Sequence, residues 1–140
     1  MSLESLQPGL SAEVSTTVRT DNTAARIVDG AVSMFSTPSM IGLMEHAAWD
    51  AVAEHLAAGE TTVGTAVDIK HLAASPIGLE VTARAELVEV VGRRLRFKVE
   101  ARDPHEPIGE GWHERFIVDL DRFTVRAEQK VKSAPGVDIG

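Results

Sequence analysis

With 140 residues, 44% of them hydrophobic and 25% charged, the chain has enough material for one globular domain with a real core. Asp and Glu outnumber Lys and Arg 21 to 14, a net charge of −7 that argues against a nucleic-acid partner, because phosphate binding needs clustered cations. There is no cysteine, which excludes disulfides, thiolate nucleophiles and Cys-based zinc sites.

The opening residues, MSLESLQPGLSAEV, lack a basic region followed by an apolar stretch, so no signal peptide is expected. No apolar run approaches the roughly 18 residues of a membrane span. A cytoplasmic protein without a membrane partner is the expectation.

In chain order, EVSTTVRT (13–20) places Val14, Thr16 and Val18 on one side at period two, which predicts a first strand. Residues 21–33 have no sustained period and read as loop with room for a short helical turn. FSTPSMIGLMEHAAWDAVAEHL (35–56) predicts a long helix. Pro38 suits a first helical position, Thr37 or Ser36 suits the cap before it, and Gly59 suits the stop. Met40, Leu43, Met44, Ala47 and Ala51 recur at helical spacing, and Ile41, Ala48 and Val52 carry the apolar surface round the cylinder. Such a helix should be enclosed by other elements, with only the end bearing Asp50, Glu54 and His55 in water.

The remainder alternates. In TAVDIKHLA (65–73), Val67, Ile69, His71 and Ala73 share a face; LEVTARAEL (79–87) turns Leu79, Val81, Ala83, Ala85 and Leu87 inward; LRFKVEAR (95–102) does the same with Leu95, Phe97, Val99 and Ala101. EGWHERFIVDL (110–120) predicts a last strand with Trp112, Phe116, Val118 and Leu120 inward, which leaves His113, like His105 in the preceding turn, at the surface. Residues 121–132 read as an amphipathic helix or an edge extension, and 133–140 as a frayed tail. Strands with one apolar face and short turns imply an antiparallel meander, and its apolar side needs the long helix as cover. The expected architecture is α+β, a single domain with a curved antiparallel sheet wrapped round one central helix.

Three residues could carry chemistry. Glu45 lies in a helical row with Ile41, Ala48 and Val52, where an unpartnered carboxylate is costly and uncommon without a purpose. Strand alternation turns His71 toward the same interior, and an acid and an imidazole converging there would suit general acid–base catalysis. Thr37 is either the helix cap or a reacting hydroxyl. Eight residues from Glu45, it stands about 12 Å away along a straight helix, so the two cannot form a simple pair. His46 and Asp50, at i and i+4, lack a third ligand, and no metal or other cofactor is expected.

The stretches TPSMIGLMEHA, VGTAVDIKHLAASPIGLEVTARAELVEVVGRRL and IGEGWHERFIVDLDRF together resemble the fluoroacetyl-CoA thioesterase family of hot-dog-fold proteins, over roughly residues 34–131. The N-terminal third matches poorly. The resemblance implies a hot-dog fold, hydrolysis of a short-chain acyl-CoA thioester, and a homodimer with active sites at the subunit interface. It implies Thr37, Glu45 and His71 as catalytic residues and Gly64 as a substrate-binding position beside the acyl group. The family's aromatic lid residues before the Thr have no counterpart in RIVDGAVSM (26–34), so the resemblance carries hydrolysis further than it carries selectivity for fluorine. Two alternatives remain at this level: a non-catalytic acyl-CoA or small-molecule binding protein of the same fold, or a thioesterase for another acyl or carrier-bound thioester. An acidic carrier would use the basic run Arg93-Arg94-x-Arg96.

Overall fold

Nine elements build the chain in a computed structural model that describes residues 5–28 and 30–133. They are β1 (Ser11–Thr17), a 3-10 turn (Thr20–Asn22), α1 (Ala24–Ile27), α2 (Thr37–Ala53), β2 (Glu60–His71), β3 (Glu80–Val91), β4 (Arg94–Arg102), β5 (Pro107–Asp119) and α3 (Leu120–Ser133). The strands form one antiparallel sheet in the order β1-β3-β4-β5-β2, and the sheet curls round α2 in the hot-dog arrangement. The expected tail lies almost wholly outside the described residues, which end on the last residue of α3.

The inner faces of β3 and β4 follow their alternation. Val81, Ala83, Ala85 and Leu87 of β3 and Leu95, Phe97, Val99 and Ala101 of β4 are all buried. They meet Met40, Leu43, Met44, Ala47, Ala48, Ala51 and Val52 of α2, and the three alanines let the helix lie close to the sheet. The β3–β4 hairpin closes in two residues between the paired Val91 and Arg94, and Gly92, at φ +59°, supplies the left-handed conformation that such a tight turn needs.

Two expectations are corrected here. The helix is not enclosed. A stripe through Thr37, Ile41, Gly42, Glu45, His46 and Trp49 is exposed or half-buried along its whole length, because α2 packs chiefly over β1 and β3 and only lightly against β2. The last strand also faces the other way from its apolar letters. His113, Arg115 and Ile117 are buried, whereas Trp112 and Phe116 are 39% and 41% exposed on the outer face. The register decides this: Ile117 pairs with Thr62, Arg115 with Gly64 and His113 with Val67, so the odd-numbered residues of β5 share the inner face of β2. Outside, the indole of Trp112 is covered by the Arg96 guanidinium, 4.6 Å from the ring centroid.

Candidate active site

The N-terminus of α2 is capped by Ser36, whose buried hydroxyl accepts the backbone N–H of Ser39 at 3.1 Å. That releases Thr37 from the capping role. Its hydroxyl lies 2.7 Å from Nδ1 of His71, the last residue of β2. Two segments are tied together to make this pair. The Phe35 N–H donates to the Ser75 carbonyl, and the Ser75 hydroxyl donates to the buried Asp103 carboxylate at 2.8 Å. Burial pushes Asp103 up, but donors from His105, Ser75 and Glu106 outweigh it and hold the carboxyl below its ordinary range.

His71 keeps its other nitrogen idle. Nε2 is buried and has no hydrogen-bond partner among the described residues. Burial lowers the pKa of the imidazole, with the Ala73 backbone pulling the other way, so the ring is held toward the neutral form that can accept a proton. Around the pair lies an open hollow of about 410 Å³. Its walls are aliphatic apart from Thr37, His71 and Phe35, with Val32, Met34 and Leu72 among them.

A second cluster lies two turns further along α2. Glu45 reaches over Gly64 of β2, where an added Cβ would come within 2.7 Å of Oε2. Only a residue without a side chain leaves this space, and it brings the Gly64 backbone up to the carboxylate. The charge of Glu45 is met by Arg115, with Nη1 3.6 Å from Oε2. Arg115 is itself buried and locked, its Nε donating to the Thr62 hydroxyl at 2.8 Å and Nη2 to the Thr62 carbonyl at 2.9 Å. The Glu45 side chain is 42% exposed, so the acid is partnered and open on one side rather than sealed inside the apolar cylinder.

Sequence reasoning thus separates from structure at two points. Thr37 and His71 come together, and so do Glu45 and Gly64, but Glu45 and His71 make no hydrogen bond or ion pair with each other in one chain. Arg115 and His113 belong to the second cluster and were hidden by the misread phase of β5. Glu45 held the signal for them, since a carboxylate among apolar neighbours needs a cation. His46 and Asp50 form only an exposed pair at 3.7 Å, and no group of three or more potential metal ligands occurs among the described residues.

The fold defines the class: a curled antiparallel sheet wrapped round α2 is a hot-dog domain. Within that class the chain belongs to the family described as fluoroacetyl-CoA-specific thioesterase, which matches residues 18–121 and so reaches back into the N-terminal third, where the sequence resemblance is poor. It is 46% identical over 97 residues to the fluoroacetyl-CoA thioesterase of Streptantibioticus cattleyicolor, covering 69% of this chain and 70% of that protein. A solved structure of the fluoroacetyl-CoA thioesterase FlK superposes with a TM-score of 0.85 at 37% identity, over 89% of this chain and 96% of the other. A thioesterase superfamily member from Thermus thermophilus superposes with a TM-score of 0.82 at 26% identity, over 88% and 91%.

Proposed function

We propose that the protein hydrolyses short-chain acyl-CoA thioesters to the free acid and CoA, in the cytoplasm, as a homodimer that needs no added cofactor. The observation that carries this reading is the Thr37–His71 pair at 2.7 Å, with the buried Nε2 of His71 lacking a hydrogen-bond partner among the described residues. A polar atom left in that state costs free energy unless a substrate or a neighbouring chain completes it.

In this mechanism the thioester carbonyl lies against the Gly64 backbone. The Glu45 carboxylate attacks the carbonyl carbon, or takes a proton from a water that does so. The C–S bond breaks and CoA departs as a thiolate. His71, oriented by Thr37, relays to it the proton that water gives up, by way of Glu45 in the water route and on opening of the anhydride after direct attack. If Glu45 attacks directly, water then cleaves the acyl–glutamyl anhydride and regenerates the carboxylate. Single turnover in 18O water that labels Glu45 establishes direct attack, with water opening the anhydride at the glutamyl carbonyl.

The dimer supplies what one chain lacks. β2 is a sheet edge, and its stretch Gly64–Asp68 is exposed throughout, with Val67 49% exposed although it faces the inner side. Antiparallel pairing of two β2 edges about a two-fold near Val67 and Asp68 would set Gly64 of one chain opposite His71 of the other. That arrangement completes each Thr37–His71 pair with a Glu45 from across the interface.

The carrier-bound alternative is the less favoured reading, since the charges of Arg93, Arg94 and Arg96 are partly balanced by Glu60, Glu89 and Glu114. The aliphatic walls beside Thr37 favour acceptance of several small acyl groups. Acetyl-, propionyl- and fluoroacetyl-CoA should all be turned over, with kcat/KM values that differ by no more than about 10–200-fold, since an apolar wall contributes about 1–3 kcal/mol to discrimination. Release of free CoA from these esters tests the function. Glu45→Ala and His71→Ala should each lose at least ~100-fold in kcat, and turnover that survives both would refute the assignment.

A further inference from the structure

His113 is a buried histidine, 1% exposed, that the proposed chemistry does not use. Its two ring nitrogens have partners that leave no choice of tautomer. Nδ1 lies 2.8 Å from the Ala66 carbonyl, which can only accept, so Nδ1 carries the hydrogen. Nε2 lies 3.2 Å from Nη1 of Arg115, which can only donate, so Nε2 is bare. The Ala66 carbonyl sits just past the register shift between Gly64 and Ala66, beside the glycine under Glu45.

The donors of Arg115 can be counted on the same basis. Nε and one of the two Nη2 hydrogens go to Thr62. Nη1 has two hydrogens, and with one directed to His113 the other is left for Glu45, 3.6 Å away. We propose that His113 is a positioning residue: as the neutral Nδ1–H tautomer it orients the Nη1 edge of Arg115 toward Glu45, and its protonation disengages that edge and shuts the site down.

A proton on Nε2 would face the N–H of Arg115 donor to donor, and the imidazolium charge would face the guanidinium. The charged groups acting on His113 are Arg115 and Glu114 from its own strand and Glu45 from α2; β4 offers the ring of Phe97 and β2 the Ala66 carbonyl. Burial, the largest influence, and Arg115 both oppose protonation.

The inference rests on the reading that Glu45 acts in hydrolysis, and its test can fail separately. In 15N-histidine NMR of the wild-type protein at pH 7.5, His113 should show a protonated Nδ1 and a bare Nε2, the tautomer less common in water. An Nε2–H or doubly protonated ring overturns the proposal whether or not the protein hydrolyses anything.

In acyl-CoA hydrolysis, His113→Phe should lower kcat at least tenfold. His113→Gln, which keeps an acceptor near Nε2 but does not titrate, should recover most of that loss. Below neutrality, log(kcat/KM) should fall with a limiting slope one unit shallower in His113→Gln than in wild type. An unchanged slope, or a His113→Phe enzyme within threefold of wild-type kcat, overturns the proposal. If His113→Phe does not fold, the tautomer and the His113→Gln profile still decide it. A wild-type protein inert toward every acyl-CoA, yet showing the Nδ1–H signature, would sink the proposed function and leave the geometry standing.

Discussion

Gly64 is the residue on which the second cluster closes, because the space a Cβ would occupy already holds the Glu45 carboxylate. Glu45 is a half-exposed side chain that can swing aside, but the added Cβ would also press on the buried His113 at 3.3 Å and Arg115 at 3.4 Å, so Gly64→Ala should cost some stability without unfolding the chain. It should displace the acid and hinder the approach of the acyl carbonyl, with kcat/KM falling by ~100-fold, since small misplacements of a reacting group cost about that much. Thermal melting within a few degrees of wild type alongside that loss is the expected result; unimpaired hydrolysis would remove Gly64 from the site. The buried histidines give a second expectation. His71 and His113 both sit below the ordinary value near 6.5, chiefly because of burial. The unfolded chain therefore takes up protons that the folded chain resists, so stability is complete above about pH 6.5 and is lost as pH falls through the folded pKa values. Urea midpoints measured from pH 8 to pH 5 should decline in wild type and decline less in His113→Gln. At this scale the letters of the sequence were only partly sufficient. Thr37, Glu45, Gly64 and His71 could be singled out, but Thr37 and Ser36 both look like caps, and only the fold shows that Ser36 takes the role and leaves Thr37 to His71.

Among the elements, β3 as far as Leu87 and β4 throughout were legible because apolar residues alternate there with polar ones and each strand is covered on one face alone. β5 was not. Its large apolar residues Trp112, Phe116 and Val118 are even-numbered, while its inner face presents His113, Arg115 and Ile117. Hydrophobicity gives the phase of a strand only when the covered face is all apolar. Here part of that face is a polar cluster, and the register with β2 sets the phase instead. Adjacent residues of this strand should therefore respond in opposite ways to truncation. Ile117→Ala removes a side chain that is 2% exposed and should cost about 2–5 kcal/mol. Phe116→Ala, on the outer face, should cost under about 1 kcal/mol. Chemical denaturation of the two variants checks the ordering, and a larger loss from Phe116→Ala would mean that the outer face is covered in solution.

Across the whole molecule, the apolar girth of α2 foretold an enclosed helix, and the fold leaves one stripe of it open beside a bare sheet edge. The sequence could not separate the two cases, because a surface buried by a partner reads like a surface buried by the chain's own core. In the proposed dimer a second copy seated on β2 would cover the stripe and make the two clusters, separated within one chain, neighbours across the two-fold. This makes a quantitative expectation. Size-exclusion chromatography with light scattering should report a mass of about 30 kDa, twice the 15.0 kDa of the chain. Glu45→Gln and His71→Ala homodimers should each be inactive, the first lacking every acid and the second every imidazole. If the two variants are unfolded together and refolded as a mixture, half of the dimers are mixed, and each of these holds one site with both groups intact. Activity should return to about a quarter of the wild-type value, as random pairing of two chains in a two-fold dimer requires. If each site were contained in one chain, mixing would restore nothing, since every chain would still carry a damaged site.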